Sequence, residues 1–167
     1  MLKAARYVMV AVMAGMSLIV SVKGVDYFST FEVISATGEV VSLESWRGYY
    51  VLIQLWRPGE SPQGDVEWAY ERLHRRHYPL ARGIKFVRCA VTKDFKQWQR
   101  QLAYLGRSYV IDVADTLGMA SPLVRQFHIS EFPAYVVYNQ VGEVIYYGTS
   151  LRRAVGVLRR ASERGRR

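Results

Sequence analysis

The stretch YYVLIQLWRPGESPQGDVEWAYERL, residues 49–73, decides the fold of this chain. Its first eight residues, 49–56, are apolar almost throughout, which is typical of a central strand buried on both faces. The following helix is predicted to begin at Ser61, whose side chain can accept a backbone N–H, with Pro62 at the first helical position. This order predicts a buried strand, a turn and an amphipathic helix.

Short apolar strands alternate with helical segments on both sides of this unit. Upstream, strands at 31–35 and 40–42 flank a turn that contains Gly38. Downstream, the pattern predicts a second interior strand at 83–92, a helix from Asp94 to Gly106, a short strand near Tyr109 to Ile111, a helix from Ser121 to about Phe127, a hairpin at 133–148 and a last helix from about Ser150. We therefore predict an α/β protein with a central mixed β-sheet flanked by helices.

Two patches of sequence resemble a known family. TGEVVSLESWRGYYVLIQLW, residues 37–56, resembles the leading segment of exported thioredoxin-like domains of the TlpA type. FHISEFPAYVVYNQVGEVIYYG, residues 127–148, resembles the tail of the same family, with its proline, strand and hairpin. The resemblance covers about Phe31 to Gly148 and implies the thioredoxin-like fold.

The resemblance also identifies the positions of a redox motif. Active members of the family carry Cys-x-x-Cys four residues beyond the tryptophan that ends the strand, and those positions here are Glu60, Ser61, Pro62 and Gln63. Dithiol exchange needs one thiolate to attack and a second thiol to resolve the mixed disulfide. The standard oxidoreductase reaction is therefore excluded, and the Glu60 carboxylate at the helix start either recognises a ligand or caps the helix.

Pro133 is the second feature that the resemblance implies to be functional. The family holds its matching proline in cis beside the redox motif, so a cis Phe132-Pro133 bond is expected. If Trp56, Pro133 and residues 57–62 form an apolar groove, the natural remaining use is recognition of an extended protein segment. The alternative is that the proline shapes the entrance to a strand. The favoured function is a redox-inactive protein-binding or assembly module.

Cys89 is the only cysteine in the sequence, so no intrachain disulfide can form. Alternation along the strand places it on one face with Lys85, Val87 and Val91, and the charges on both faces leave its burial open. A buried, inert cysteine is the usual case. The alternative function is a thiol-disulfide oxidoreductase-related or single-thiol redox enzyme that uses Cys89, or an enzyme with unrelated chemistry at Glu60.

The sequence indicates no cofactor, no metal and no small-molecule substrate. His74 and His77 are spaced like metal ligands, but Arg72, Arg75 and Arg76 surround them and oppose cation binding. His128 stands alone. The sequence has no glycine-rich phosphate loop and no Ser-His-Asp set.

The net charge of +9 belongs to the two ends of the chain. Residues 1–24 combine Lys3 and Arg6 with an apolar run over 7–22, which predicts a signal peptide or an uncleaved membrane anchor. The alternative for this segment is a buried helix of the core. A thioredoxin-like domain is expected over 28–160 and a basic tail over 161–167. The protein is expected to be exported, on the periplasmic side of the inner membrane, either anchored or soluble after cleavage.

Arginines dominate the C-terminal segment. Four of them are predicted on the polar side of the last helix, opposite Leu151, Val155 and Leu158: Arg152, Arg153, Arg159 and Arg160. They are candidates for contact with anionic lipid or with a protein partner. The alternative is a final domain helix followed by a solvated end. Nucleic acid is not expected as a partner of an exported protein.

Overall fold

The apolar run at residues 49–56 forms the central strand of the molecule. A computed structural model describes residues 31–59, 66–73, 83–103 and 109–165. In it, strand β3 spans Tyr50–Trp56, and the six residues after Tyr50 are all buried. Both faces of the strand are covered, as a continuous apolar run predicts.

The remaining elements follow in the predicted order. The strands are β1 (Glu32–Ser35), β2 (Val40–Ser42), β4 (Ile84–Val91), β5 (Ile111–Asp115), β6 (Ala134–Tyr138) and β7 (Val144–Gly148). The helices are α1, of which residues 66–73 are described, α2 (Phe95–Leu102), α3 (Pro122–Gln126) and α4 (Leu151–Arg164). Short 3₁₀ turns lie at Leu43–Trp46 and Gly118–Ala120.

The strands form one seven-stranded mixed sheet in the order β2-β1-β5-β4-β3-β6-β7. Strands β3, β4 and β5 are parallel, and the other pairs are antiparallel. The predicted α/β architecture with a central mixed sheet and flanking helices is confirmed. The carboxyl ends of the three parallel strands meet at one end of the sheet, which we call the tip end.

Helices cover both faces of the sheet. One face of β3 and β4, including Ile53 and Val87, packs against α3 and the 3₁₀ turn at Leu43–Trp46. The other face, including Leu52 and Phe86, packs against α1 and α4. Helix α2 covers this second face at the tip end. There Trp98 packs with three residues of β3, β4 and β5: Trp56, Ala90 and Ala114.

Predicted helix caps are present on three helices. The side chain of Asp94 accepts a hydrogen bond from the Gln97 N–H (2.8 Å) at the start of α2. Ser121 accepts from the Leu123 N–H (3.0 Å) at α3, and Ser150 caps α4. Each cap supplies an acceptor for a backbone donor that the first helical turn leaves unpaired. The predicted start of α1 at Ser61 lies outside the described residues.

Two boundaries differ from the sequence prediction. The strand predicted near Tyr109 to Ile111 lies at Ile111–Asp115, because Tyr109 is 81% exposed and stacks on the ring of Tyr70 instead of joining the sheet. Helix α4 continues to Arg164, beyond position 160, because Ser162 still faces the core. The predicted signal or anchor segment, 1–24, lies outside the described residues. Among the helices within the described ranges, none has the length and apolarity to cross a bilayer.

Candidate binding surface at the tip end

The four positions that the resemblance assigns to the redox motif, Glu60, Ser61, Pro62 and Gln63, lie outside the described residues. The structure does describe what borders them. Residues 57–59 follow β3, and α1 is described from Val66 onward. The candidate site is therefore built from the strand before the motif, the helix after it and the loops beside it.

Trp56 ends β3 and supports the tip end from below. Its side chain is 2% exposed and packs against Trp98. The small side chains of Ala90 and Ala114 on the neighbouring strands leave room for these two indoles. Within the part of the chain that the structure describes, neither indole Nε1 has a hydrogen-bond partner. Trp56, which was predicted to line a groove, is buried beneath the tip end, and its role in contacting a partner stays a prediction.

Arg57 joins two loops at the tip end. Its guanidinium carbon lies 4.5 Å from the centroid of the Phe132 ring, a cation–π distance. Its Nη2 donates to the sulfur of Met119 at 3.2 Å. We call the set Arg57, Met119, Phe132 and Pro133 the tip surface. Met119 is 46% exposed, and Leu117 beside it is 53% exposed.

The pairing of β6 with β3 determines the position of Pro133 on this surface. Ala134, the first residue of β6, pairs with Leu55, so Pro133 lies next to Trp56 on the adjacent strand. The predicted cis peptide bond between Phe132 and Pro133 is confirmed. Pro133 is exposed, and Phe132 is half-buried under the Arg57 guanidinium.

The loop after β3 is also held from the side of α2. The backbone N–H of Gly59 donates to Oε1 of Gln101 at 3.3 Å. Gly59 has φ +97°, in the left-handed region that glycine adopts without steric cost. Residues 57 and 59 thus contact Met119, Phe132 and Gln101, which lie in three separate parts of the chain. These contacts hold the loop after β3 in place.

An open groove of about 430 Å³ adjoins the tip surface on the side of β1. It reaches the tip end through Leu117, two residues before Met119. Its lining combines apolar side chains with the carboxylates of Glu32 and Asp115. The lining residues are Phe31, Glu32, Val33, Ile34, Val40, Asp115, Thr116, Leu117 and Pro122.

A buried charge network holds α1 to the sheet below the tip end. Arg88 of β4 is 1% exposed and makes two hydrogen bonds to Asp112 of β5, at 2.7 and 3.0 Å. It also donates to Glu67 of α1 at 3.3 Å. Burial works against the Arg88 charge, but the hydrogen bonds and charges of Asp112 and Glu67 outweigh it, so the pKa of Arg88 is raised.

A second tie between α1 and the sheet comes from Gln54. This side chain is 1% exposed on β3, and its Oε1 accepts from the Val66 N–H at 3.3 Å. Sequence reasoning missed both Gln54 and the partners of Arg88. The signal for such ties was a polar residue within an apolar strand, because a buried polar group requires a partner.

Cys89 lies in the middle of β4, away from the tip surface. It is 1% exposed and shares its face with Val87 and Val91, as strand alternation predicted. Burial raises the pKa of the Cys89 thiol well above its usual range, and the nearby Asp115 carboxylate adds to the rise. At neutral pH the group is a neutral, inaccessible thiol, which is a poor nucleophile.

The predicted arginines of the last helix are exposed. Arg152, Arg153, Arg159 and Arg160 all face solvent, while Val155 and Leu158 are buried. Arg159 pairs with Glu163 of the next turn at 3.5 Å.

The histidines considered as metal ligands do not form a cluster in the described part of the chain. His74 and His77 lie outside it, and His128 is exposed after α3. Across residues 31–59, 66–73, 83–103 and 109–165, no three His, Cys, Asp or Glu side chains are grouped closely enough to hold a metal ion.

Comparison with known proteins gives a clear fold assignment. No family model and no curated protein matches the sequence. Several solved structures do match. A thiol-disulfide oxidoreductase from Bacteroides fragilis has a TM-score of 0.61 at 19% identity, over 78% of this chain and 95% of its own. DsbF of Mycobacterium tuberculosis has a TM-score of 0.60 at 18% identity, over 83% of this chain and 99% of its own.

A secreted disulfide oxidoreductase of Mycobacterium tuberculosis also matches, with a TM-score of 0.55 at 16% identity, over 81% of this chain and 99% of its own. Identities this low establish shared architecture and leave the activity open. The chain therefore has a thioredoxin-like fold, the fold of these thiol-disulfide oxidoreductases.

Proposed function

We propose that this chain is a redox-inactive thioredoxin-like protein that binds another protein through its tip surface. The observation that carries the proposal is the position of its one sulfhydryl group. Cys89 is buried in the middle of β4, and the positions that the resemblance assigns to the redox motif hold Glu60 and Gln63 instead of cysteines. Without an exposed thiolate and a resolving thiol, the exchange reaction has no first step.

The tip surface supports a binding role because it is exposed, partly apolar and held in place. Arg57 is fixed by Met119 and Phe132, and Arg offers both charge and a flat apolar face to a partner. Met119 supplies an adaptable apolar contact. The groove beside Leu117 extends this surface, and its volume is large enough to accept several side chains of an extended segment.

The protein is proposed to act outside the cytoplasm, on the periplasmic side of the inner membrane. The basic start of the sequence, followed by the apolar run at 7–22, supports export, with the segment either retained as an anchor or removed. One structural neighbour is a secreted protein, which agrees with this location.

Two measurements test the proposal. In an insulin-reduction assay, the full chain and Cys89→Ser are both expected to show no turnover above the thiol reductant alone. Activity that disappears in Cys89→Ser would instead establish a single-thiol enzyme and overturn the proposal.

The second measurement is photo-crosslinking in cells from position 119, with position 141 as the matched control. Val141 is 59% exposed in the β6–β7 turn, at the end of the sheet opposite the tip end. A protein captured from 119 and not from 141 should bind the purified chain. Met119→Glu should weaken that binding at least about tenfold, as loss of a central contact does, and Val141→Glu should leave it unchanged. Equal effects of the two substitutions would remove the tip surface from the proposal.

A further inference from the structure

We propose that the outer face of α4 docks onto the anionic headgroups of a lipid bilayer. Five arginines form this basic face: Arg152, Arg153, Arg159, Arg160 and Arg164. All five are exposed, and the opposite side of the helix is buried through Ala154, Val155, Leu158 and Ser162. The proposal concerns a surface distinct from the tip surface, and it rests on the proposed location at a membrane.

Helix geometry places the five arginines on one continuous strip. With 3.6 residues per turn, they occupy an arc of about 140° around the axis of α4. Glu163 is the one acid on this arc, and it pairs with Arg159 at 3.5 Å. An exposed pair of this kind contributes little stability and leaves the strip strongly positive. Every exposed residue of α4 is charged.

The basic face is fixed to the domain at both ends of α4. At its start, the hydroxyl of Tyr146 in β7 donates to the Ser150 carbonyl at 3.1 Å. Near its other end, the hydroxyl of Tyr50 donates to the Ala161 carbonyl at 3.0 Å. Between these points, Leu158 is fully buried. The arginines are therefore presented as a preformed array on a folded helix, which lowers the ordering cost of binding.

The composition of the face favours lipid over a protein partner. Protein interfaces concentrate their binding energy in buried aromatic and arginine anchors that fit pockets. The exposed positions of α4 carry no aromatic or aliphatic side chain that could fill such a pocket. A strip of charge without apolar anchors suits a fluid anionic surface, where each basic residue contributes independently of shape.

The length of chain before the domain allows α4 to reach the bilayer that would hold the apolar run at 7–22. Eight residues separate Val22 from Phe31, and an extended chain of that length reaches roughly 30 Å. Helix α4 packs on β3, β6 and β7. These strands lie three to five places from β1 in the sheet, or about 15–25 Å. The apolar run at 7–22 and the basic face of α4 can therefore contact the same membrane.

The test compares partitioning of the full chain into two kinds of vesicle, pure phosphatidylcholine and phosphatidylcholine with about one-third phosphatidylglycerol. The apolar segment contributes to binding of both kinds of vesicle. The ratio of the anionic to the neutral partition coefficient therefore reports the electrostatic contribution to binding. The ratio for the wild type should exceed one and fall at high salt. In R152Q/R153Q/R159Q/R160Q it should fall at least about tenfold.

The matched control is K93Q/K96Q/R100Q/R125Q, which removes four exposed charges outside α4. This control should change the ratio far less than the α4 variant does. An equal fall in both variants would show attraction by net charge alone and overturn the docking face. Binding of the full chain to polyglutamate is measured in parallel. If the α4 variant loses this binding while its ratio of partition coefficients stays unchanged, the basic face binds an acidic protein instead of lipid. Partitioning into pure phosphatidylcholine vesicles separately tests whether the apolar run at 7–22 binds a membrane.

Discussion

The thiol of Cys89 is surrounded by the apolar side chains of one core cluster, which includes Val87, Val91 and Val113. The sequence predicted its face of the strand but left its burial open, because Lys85 and Arg88 put a charge on each face. The structure shows where each of these two charges is accommodated, and so how Cys89 can be buried between them. Lys85 lies at the start of β4, with its ammonium 4.4 Å from the Tyr49 ring, and Arg88 is neutralised by two carboxylates.

The raised pKa of Cys89 predicts a stability that falls at alkaline pH. The folded state keeps the thiol proton above pH 9, where the unfolded chain releases it, so the unfolded state binds fewer protons. This contribution is complete below about pH 8.5 and is lost progressively as pH rises. From pH 8 to pH 10, the free energy of unfolding of the wild type should fall by about 1–2 kcal/mol more than that of Cys89→Ala.

Urea unfolding at both pH values measures this difference, and the alanine variant cancels the titration of tyrosines and lysines. Parallel pH profiles for the two proteins would contradict the burial of the thiol.

At the scale of elements, Arg88 connects three of them: β4, β5 through Asp112, and α1 through Glu67. An apolar strand pattern predicted β4 correctly, and cap residues predicted the starts of α2, α3 and α4. The partners of Arg88 could not be predicted, since Glu67 and Asp112 lie 21 and 24 residues away along the chain. The register between paired strands decides which residues lie side by side, and this register cannot be read from the apolar pattern of a single strand.

The position of β5 shows a similar limit. Residues 109–111 are all apolar, whereas Asp112 and Asp115 interrupt the apolar residues that follow, so the sequence favours a strand over 109–111 instead of one over 111–115. Burial distinguishes the two. Val113 and Ala114 are covered by neighbouring elements, whereas the Tyr109 side chain lies outside the sheet.

Arg88→Met is expected to lower the free energy of unfolding by about 3–5 kcal/mol, because it leaves the partly buried Asp112 carboxylate without its cation. The matched control is Arg47→Met. Arg47 also makes two hydrogen bonds to one carboxylate, that of Glu44, but its side chain is 37% exposed. Loss of this exposed pair should cost no more than about 1 kcal/mol.

Chemical denaturation of both variants gives the comparison, and hydrogen exchange over 66–73 should show faster opening of α1 only in Arg88→Met. Similar losses of stability in the two variants would mean that burial does not set the strength of the Arg88 network.

At the scale of the whole molecule, the thioredoxin-like fold was predictable from element order and two sequence patches. The tip surface, which we propose as the binding site, was predicted only in part. Phe132 and Pro133 were identified from the resemblance, whereas Arg57 and Met119 come together through loops that are distant in sequence. The C-terminal boundary also needed the structure, because the arginine-rich composition after position 160 gives no sign that α4 continues to Arg164.

The proposed location predicts how the whole chain behaves on fractionation of cells. The protein should sediment with membranes after a high-salt wash, which removes purely electrostatic attachment, and its mass should include residues 1–24 if the segment is an anchor. A soluble periplasmic protein that has lost these residues would instead establish a cleaved signal peptide. Recovery in the cytoplasm would contradict export.

The burial of Cys89 also has a practical consequence for studying the protein. With its one native sulfhydryl enclosed, a cysteine introduced at an exposed position such as Met119 would be the group that maleimide dyes or spin labels reach first. The wild-type chain can thus serve directly as the background for single-site reporters, without prior removal of native residues.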